Sequence, residues 1–352
     1  MVFRGAPPGA PGRLEMDERP APAPRDGELL VRVAVCGVCR TDLDVVDGRL
    51  APAALPVVPG HQVVGRVESL GAGVRDVRAG QRVGVAWIHS ACGECRWCRS
   101  GRENLCPRFV STGCGHDGGY AELLTVPAAF AHPIPDALDD LAAAPLLCAG
   151  AIGWRALRAA GVADGEPLGL TGFGASAHLV LQLARRRLPR SHIYVFARQP
   201  EERRFALELG AAWAGASDDS TPEPLAAIID TTPAWTPVVD ALAHLAPGGR
   251  LVVNAIAKQR GDQDALLRLD YATHLWMERE IRSVANVTRA DVREMLVAAV
   301  ELGLRPTVEE LPLERANDAL DALRRGERVR GARVLRVAPG VASAQAASFT
   351  HD

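Results

Sequence analysis

The sequence lacks an excess of charge of either sign, and it lacks any strongly basic run. Its 352 residues include 40 Lys and Arg and 42 Asp and Glu, a formal net charge of −2, and the arginines are spread along the chain. Surfaces that bind nucleic acid or anionic lipid normally gather positive charge in one patch. We therefore expect neither a nucleic-acid partner nor a membrane partner.

Long apolar runs are also scarce. We find no stretch of about 18 apolar residues that predicts a membrane span. Residues 1–28 are rich in Pro, Gly and charge, whereas a signal peptide needs an apolar core. The expected location is therefore the cytoplasm.

Cysteine is absent from the second half of the chain. All eight cysteines lie in the first half: Cys36, Cys39, Cys92, Cys95, Cys98, Cys106, Cys114 and Cys148. In the cytoplasm, cysteines are more often metal ligands or catalytic thiols than disulfides. The first half is therefore expected to carry metal or thiol chemistry.

The hydrophobic pattern changes along the chain. From Gly27 to about Ala131, short Val-rich runs are cut by Gly and Pro, which predicts short strands in a small barrel or sandwich. Strand-like and helix-like segments then alternate, which predicts right-handed crossovers and a parallel, doubly wound sheet. The predicted domains are residues 1–150, with a metal-binding lobe at about 88–110; residues 151–285, which bind a nucleotide; and a return segment, 286–352, with a frayed tail.

The first metal-site candidate is the segment "CGECRWCRSGRENLC". It spaces four cysteines as C-x2-C-x2-C-x7-C, namely Cys92, Cys95, Cys98 and Cys106. Four thiolates can close tetrahedrally around zinc and so fix a polar loop, and a closed shell of this kind is structural. An iron–sulfur cluster and unrelated thiols are the alternative interpretations.

A second candidate set combines Cys39, His61 and Cys148. A catalytic zinc needs three protein ligands and one open position, and these residues supply such a set. From spacing alone, His61 could instead be a core histidine, and Cys148 a small buried residue.

A glycine-rich turn predicts the cofactor site. The segment "GLTGFGASAH" follows an apolar strand and precedes a helix, and its G-x-G-x-x-A pattern covers Gly172, Phe173, Gly174, Ala175, Ser176 and Ala177. Such a turn lets a pyrophosphate approach backbone N–H groups at a helix N-terminus, which indicates a nicotinamide dinucleotide.

The next strand ends at Ala197 and Arg198, where an acidic residue would bind the 2′-hydroxyl of NAD. The cation favours the 2′-phosphate of NADP, with NAD still possible. Arg203 and Arg204 could assist. Arg198 as a solvated turn residue is the alternative.

Six segments occur in a family-specific order: "GVCRTD", "PGHQVVGRV", the four-cysteine lobe, "DGGYAELLTV", "APLLCAGAIGWRAL" and "LTGFGASAHL". Over residues 27–337 the chain resembles the zinc-dependent alcohol dehydrogenases of the medium-chain dehydrogenase/reductase superfamily. The resemblance implies an α/β-plus-β fold, in which a GroES-like β-barrel catalytic domain joins a Rossmann domain. It also implies two zinc ions per chain, one catalytic and one structural, and hydride transfer between the cofactor and an alcohol, aldehyde or ketone.

The same resemblance assigns roles to individual residues. Cys39, His61 and Cys148 would bind the catalytic zinc, Asp42 would orient His61, and Thr41 would contact the substrate oxygen. Arg40 and a late arginine, either Arg330 or Arg333, would contact the pyrophosphate. Trp87 would form an aromatic wall of the substrate pocket, with His116 nearby; a core aromatic for Trp87 and a turn residue for His116 are the alternatives.

Two positions depart from the family pattern. Asp44 stands where the family has a proton-relaying histidine, and the low reference pKa of an aspartate suits that task poorly. Gln62 replaces a glutamate near the zinc and removes its charge. These changes predict a bias towards carbonyl reduction, or reduction of an imine or conjugated alkene; a non-catalytic nucleotide-binding relative is an alternative of another class.

A homodimer or homotetramer is the expected assembly. The resemblance implies pairing through the nucleotide-binding domain. The apolar run "GGRLVVNAIA", residues 248–257, is predicted to be the exposed edge of the sheet.

Overall fold

The computed structural model describes residues 1–7, 10–327 and 330–337. The predicted frayed tail, residues 338–352, lies outside them. The strands in chain order are β1 (Val2–Phe3), β2 (Leu14–Glu15), β3 (Glu28–Val38), β4 (Val63–Leu70), β5 (Arg82–Val85), β6 (Ile88–Ser90), β7 (Val110–Ser111), β8 (Leu123–Pro127), β9 (Ala131–Pro133), β10 (Leu168–Thr171), β11 (Ile193–Phe196), β12 (Trp213–Gly215), β13 (Leu225–Asp230), β14 (Leu245–Val253), β15 (Glu280–Ser283), β16 (Val308–Pro312) and β17 (Ala332–Arg336).

The α-helices lie mainly in the second half of the chain. They are α1 (Arg40–Val46), α2 (Arg96–Arg99), α3 (Asp140–Pro145), α4 (Ala151–Ala160), α5 (Ala175–Arg187), α6 (Pro200–Glu208), α7 (Thr236–Leu242), α8 (Arg289–Glu301) and α9 (Ala316–Arg324). Short 3-10 or π turns connect several of them: Glu103–Leu105, Ala128–Phe130, Leu146–Gly150, Gln263–Arg268, Tyr271–Leu275 and Leu313–Arg315.

The first half of the chain builds most of a mainly antiparallel barrel, which β16 and β17 complete. The strand order is β16-β17-β3-β4-β5-β9, and β8 also pairs with β3. The last two strands of the chain therefore return to the sheet that the first half builds. Strand β3 is buried over most of its length, with only Arg32 exposed, and Cys36 is fully buried on it.

The middle of the chain forms a parallel sheet of order β12-β11-β10-β13-β14-β15. The strand order reverses between β10 and β13, and open α/β sheets bind ligands in the crevice at such a point. The barrel and the parallel sheet together are the predicted fold class.

The predicted sheet edge is wrong. Strand β14 contains most of the apolar run 248–257 and pairs with β13 on one side and β15 on the other. The edge is β15, whose residues are all exposed. An apolar run on both faces is the pattern of an interior parallel strand, which helices cover from both sides.

A single helical stretch, Asp140–Ala160, joins the two sheets. By length and composition it could cross a membrane, with a mean hydropathy of 1.2, but 67% of its apolar window is buried inside the protein. Core helices of soluble proteins have the same character. A π turn, Leu146–Gly150, interrupts it directly after Pro145 and carries Cys148.

Candidate active site

Cys39, the first residue of the candidate site, is the N-cap of helix α1. Its side chain accepts the Thr41 N–H at 3.3 Å, and its own N–H donates to Asp42 Oδ2 at 2.8 Å. This reciprocal cap starts α1 immediately after β3. The local sequence therefore places the Cys39 sulfur at the end of the barrel strand.

His61 lies against both Asp42 and the two cysteines. Its Nδ1 is 3.0 Å from Asp42 Oδ1, which also accepts the Gly60 N–H at 3.2 Å. Its Nε2 is 3.3 Å from the sulfur of Cys39 and 3.3 Å from that of Cys148. The carboxylate thus fixes the ring so that Nε2 faces the thiols.

The three donor atoms fit a zinc ion. They all lie within 4.8 Å of one another, and tetrahedral zinc bonds place such donors about 3.6–3.8 Å apart. A hydrogen bond from the Cys148 thiol lowers the pKa of Cys39 to about 5, whereas the same bond and burial raise the pKa of Cys148 well above its usual value. A dication would let both thiols ionise.

The four lobe cysteines form a second compact set. The sulfurs of Cys92, Cys95, Cys98 and Cys106 lie within 4.8 Å of one another. The distance from Cys98 Sγ is 3.8 Å to Cys92 Sγ and 3.6 Å to Cys95 Sγ. Tetrahedral Zn–S bonds imply about 3.8 Å. This geometry also fits zinc.

Electrostatics in the lobe resemble those of the first set. Backbone N–H groups of Glu94 and Cys95 lower the pKa of Cys92 to about 6, while desolvation and the neighbouring thiols raise the pKa of Cys98 to about 12. Four adjacent thiols cannot all ionise without a compensating cation. The lobe donors therefore fit a structural ion.

The lobe is attached to the segment that follows β15. Glu103 accepts from the backbone N–H and the Nε of Arg289, both at 3.1 Å. Asn104 donates to the Ala285 carbonyl at 2.8 Å, and Asn286 donates back to the Asn104 carbonyl at 3.2 Å. Fixing the lobe therefore fixes one wall of the cleft between the two sheets.

The glycine turn lies between β10 and α5. Gly172 has φ +77, and a Cβ there would lie 2.8 Å from Thr232 Cγ2, so both conformation and space require glycine. Gly174 is the N-cap residue of α5 and has open space where a side chain would stand. Phe173 and Ala177 are buried, and Ser176 Oγ donates to the Ala149 carbonyl at 3.4 Å.

One cleft joins the glycine turn to the Cys–His cluster. Its lining includes the residues predicted for the substrate and cofactor sites: Cys39, Arg40, Thr41, Asp44, His61, Trp87, Cys148, Gly172, Phe173, Gly174, Ala175, Ser176, Arg198, Arg330 and Arg333. The Trp87 ring packs edge-on against His61 with centroids 5.0 Å apart, and its Nε1 donates to Asn286 Oδ1 at 2.8 Å. Trp87 is thus a wall beside the cluster.

His116 stacks on His89, with ring centroids 4.0 Å apart. Burial and the neighbouring His116 together lower the pKa of His89 to about 3. The pair packs within the barrel domain.

Asp44 is buried and is paired with two arginines. Its Oδ1 accepts from Arg49 Nε at 2.6 Å and from Arg40 Nε at 3.3 Å. Sequence reasoning did not identify Arg49. The carboxylate at the relay position therefore lies in an arginine pair.

The late arginines differ in their surroundings. Arg330 is exposed and pairs with Glu208, and its guanidinium lies 4.7 Å above the Phe205 ring. Arg333 is buried on β17 and pairs with Glu309 at 2.8 Å. Among the described residues its Nη1 has no hydrogen-bond partner. Of these two late arginines, Arg333 is thus the one with a buried donor unused among the described residues.

Two further predicted residues have simple surroundings. Gln62 is buried, and its Oε1 lies 2.7 Å from where a Cβ of Gly37 would stand. Arg198 follows the buried Ala197 at the end of β11 and is exposed beside the cleft. Arg203 Nη2 donates to the Arg198 carbonyl at 3.4 Å.

Sequence reasoning missed a buried ion pair in the same cleft region, formed by Asp230 and Lys258. Two signals could have indicated it. Asp230 is a charged residue at the end of the apolar segment "AAIID", and Lys258 is the only lysine in the sequence.

Comparison with known proteins agrees with this architecture. Residues 25–136 match the alcohol dehydrogenase GroES-like domain. The chain is 44% identical over 331 residues to a probable alcohol dehydrogenase, AdhA, of Mycobacterium tuberculosis, covering 93% of each protein. An alcohol dehydrogenase of Geobacillus stearothermophilus is 33% identical over 338 residues, 92% of this chain and 96% of that one.

Solved structures show the same fold. A thermostable alcohol dehydrogenase from Pyrobaculum aerophilum, with bound cobalt and zinc, superposes with a TM-score of 0.82 at 27% identity. The match covers 96% of this chain and 100% of that one. A cinnamyl alcohol dehydrogenase from Sorghum bicolor gives a TM-score of 0.78 at 28% identity, covering 90% and 92% of the two chains.

The chain belongs to the zinc-dependent alcohol dehydrogenase family of the medium-chain dehydrogenase/reductase superfamily. It is an NAD(P)-dependent oxidoreductase that acts on an alcohol or carbonyl compound. The predicted family, fold class and enzyme class are confirmed, and the non-catalytic alternative is not favoured.

Proposed function

We propose that the cleft reduces and oxidises its substrate at a zinc ion held by Cys39, His61 and Cys148. The observation that supports this is the convergence of three donor atoms, within 4.8 Å of one another, in the cleft that the glycine turn also lines. Zinc would supply Lewis-acid stabilisation of the substrate oxygen. Asp42 orients His61 for this task.

The residues around the cluster then have separate tasks. Thr41 lines the cleft in the first turn of α1, where its hydroxyl can exchange a hydrogen bond with the substrate oxygen. Trp87 limits the pocket beside His61 and keeps water from that face. These two side chains, one polar and one aromatic, would orient the substrate.

A second zinc in the four-cysteine lobe would be structural. Four donors leave no open position. Because Glu103 and Asn104 hold the segment 285–289, the ion would stabilise the cleft wall that carries Asn286. Cysteines that bind metal must stay reduced, and the cytoplasm is a reducing compartment. We therefore place the enzyme in the cytoplasm.

NADP is the proposed cofactor in preference to NAD. Ala197 and Arg198 follow the last residue of β11, where an acidic residue would accept from the ribose 2′-hydroxyl of NAD, and Arg198 is exposed at the cleft. The glycine turn would receive the pyrophosphate. Arg40 and Arg333 would neutralise its charge, and the unused Nη1 of Arg333 favours it over Arg330.

Asp44 is proposed to position Arg40 and not to relay a proton. Its carboxylate accepts from both Arg40 and Arg49, which fixes the direction of the Arg40 side chain. Gln62 removes a further negative charge near the zinc ligands. Both features support a bias towards carbonyl reduction.

The oligomer is proposed to form through β15. This edge strand is exposed along its whole length, and exposed apolar side chains lie on it or in the segment that precedes it in the chain: Leu267, Tyr271, Trp276, Met277 and Ile281. A second copy of the chain would cover both the strand edge and these side chains. Sedimentation should give a dimer or tetramer, and Ile281→Lys should give monomers.

The proposed reaction is tested by paired kinetics. Reduction of aryl and alkyl aldehydes and ketones, with NADPH and NADH side by side, should be faster with NADPH and faster than oxidation of the matching alcohols. Imine and conjugated-alkene substrates belong in the same panel. Turnover of those compounds alone would contradict an alcohol–carbonyl reaction.

A further inference from the structure

The strongest unassigned feature lies where the parallel sheet reverses its order. Thr171 is the last residue of β10, and Asp230 is the last residue of the neighbouring strand β13. The Thr171 hydroxyl donates to Asp230 Oδ1 at 2.6 Å. This bond crosses the position at which the ligand crevice of an open α/β sheet forms.

Asp230 also holds the loop that follows its own strand. The carboxylate is fully buried, and its Oδ1 accepts from Thr232 Oγ1 at 2.8 Å and from the Thr232 N–H at 3.3 Å. Thr232 in turn lies against Gly172 of the glycine turn. One carboxylate therefore connects the two walls of the crevice.

Lys258 completes this arrangement from the loop after β14. Its ammonium group donates to Asp230 Oδ2, to the Thr232 carbonyl at 2.7 Å and to the Ala234 carbonyl at 2.9 Å. An ammonium group has three N–H donors, and all three are used here. Lys258 therefore acts on the loop and has no donor left for a ligand.

The backbone next to Lys258 extends the same contact. The Gln259 N–H donates to the Pro233 carbonyl at 2.8 Å, so the carbonyls of residues 232, 233 and 234 all accept from residues 258 and 259. Thr231, Thr232, Pro233 and Ala234 all line the cleft. The ion pair thus fixes the shape of a continuous piece of cleft wall.

The amino-acid choice indicates a specific requirement. Lys258 is the only lysine among the 352 residues, and the other residues counted as Lys or Arg are all arginines. A compact ammonium with three rotatable donors can reach one carboxylate and two carbonyls at a single point, whereas the planar arginine fork cannot. Position 258 therefore requires the donor geometry of an ammonium group and not merely a positive charge.

We propose that the Asp230–Lys258 pair is a positioning device for the nicotinamide half of the cofactor. The inference rests on the proposed cofactor site. Arg198, after β11, faces the adenosine end, and the glycine turn after β10 receives the pyrophosphate. The remaining half must pass the end of β13 to reach the Cys–His cluster, so loop 231–234 forms its wall.

Substitution tests this division of the cofactor site. Lys258→Met should weaken NADPH binding and lower kcat by roughly tenfold to a hundredfold, the range that displaced positioning groups produce. Binding of adenosine 2′,5′-bisphosphate should stay within about twofold, because the adenosine wall lies beyond the substituted loop. Lys258→Arg should not rescue the loss. Arg250→Met, on β14 in the same sheet, is the matched control.

Equal weakening of both ligands, or of neither, would overturn the proposal. A second measurement avoids the risk that Lys258→Met misfolds. In wild-type protein grown with [ε-13C]lysine, the single lysine gives one side-chain NMR resonance, which should move on addition of NADPH but not of adenosine 2′,5′-bisphosphate. An unmoved resonance with bound NADPH would also overturn it. If wild-type protein binds no NADPH at all, the proposed preference for NADP itself fails.

Discussion

Asp44 Oδ1 lies 2.6 Å from Arg49 Nε, at the position where the family's pattern has a proton-relaying histidine. Arg49 also donates to Asp47 at 3.1 Å, and Asp47 accepts from Arg324 of α9 at 2.6 Å. The end of α1 is therefore part of an ion-pair network between the barrel strands and the return segment. Arg40, Asp44 and Arg324 of this network line the cleft.

Asp44→Asn tests whether this network positions Arg40. Losing a half-exposed ion pair should raise KM for NADPH about twofold to fivefold, while the pH profile of kcat stays unchanged. Steady-state kinetics across pH measure both. Asp47→Asn is the matched control, because Asp47 pairs with Arg49 and Arg324. A large fall in kcat with an altered pH profile would instead support a proton relay.

Arg198→Ala tests the cofactor preference. Loss of a charged hydrogen bond to the 2′-phosphate should raise KM for NADPH roughly tenfold and leave KM for NADH unchanged. Arg190→Ala is a suitable control, since Arg190 pairs with Asp164 at the surface. Equal effects of Arg198→Ala on both cofactors would show that the residue does not contact the 2′-phosphate.

Local sequence patterns predicted much of the site. The C-x2-C-x2-C-x7-C spacing brings four thiols together within one loop, and the glycine turn needs only a strand, a turn and a helix. Cys39 and Asp42 are likewise three residues apart and form one helix cap. In each case the residues that act together are also close in the sequence, so the sequence alone identifies them.

Relationships between distant segments were not predictable in the same way. Choosing between Arg330 and Arg333 depends on the pairing of β17 with β3, and a shift of one residue reverses the face of each side chain. The Asp230–Lys258 pair needs two successive strands to lie side by side. The apolar run of β14 gave no information on whether another strand follows, so its edge position was predicted wrongly.

Cys98→Ser tests the structural role of the lobe. The variant should keep one zinc per chain and lose the other, and its thermal unfolding temperature should fall. Metal analysis and circular dichroism measure these changes. Cys114→Ser is the control, because Cys114 is buried near the Ala51 carbonyl and belongs to neither cluster. Unchanged zinc content in Cys98→Ser would contradict the lobe site.

His132 should make stability depend on pH. Burial, with the nearby charges of Arg293 and Arg289, lowers the pKa of His132 in the folded protein to about 3. The unfolded chain takes up this proton at about pH 6.5, so stability is greatest above that pH and falls as the pH drops towards 3. One such group removes about 2 kcal/mol between pH 7 and pH 5.

Denaturant unfolding of wild type and His132→Gln at several pH values, with zinc present throughout, measures this slope. The variant should lose less stability than wild type on acidification, whatever its absolute stability. Parallel pH dependences would show that His132 has the same pKa in the folded protein as in the unfolded chain.

The zinc content of two matched variants tests the central claim most directly. Cys39→Ala removes a proposed ligand, whereas Cys36→Ala removes the other cysteine of the same C-x2-C pair, which is buried on β3. Cys39→Ala should contain one zinc per chain and lose turnover, and Cys36→Ala should keep two zinc ions and its activity. Two zinc ions in Cys39→Ala, or equal losses in both variants, would contradict a catalytic zinc held by Cys39, His61 and Cys148.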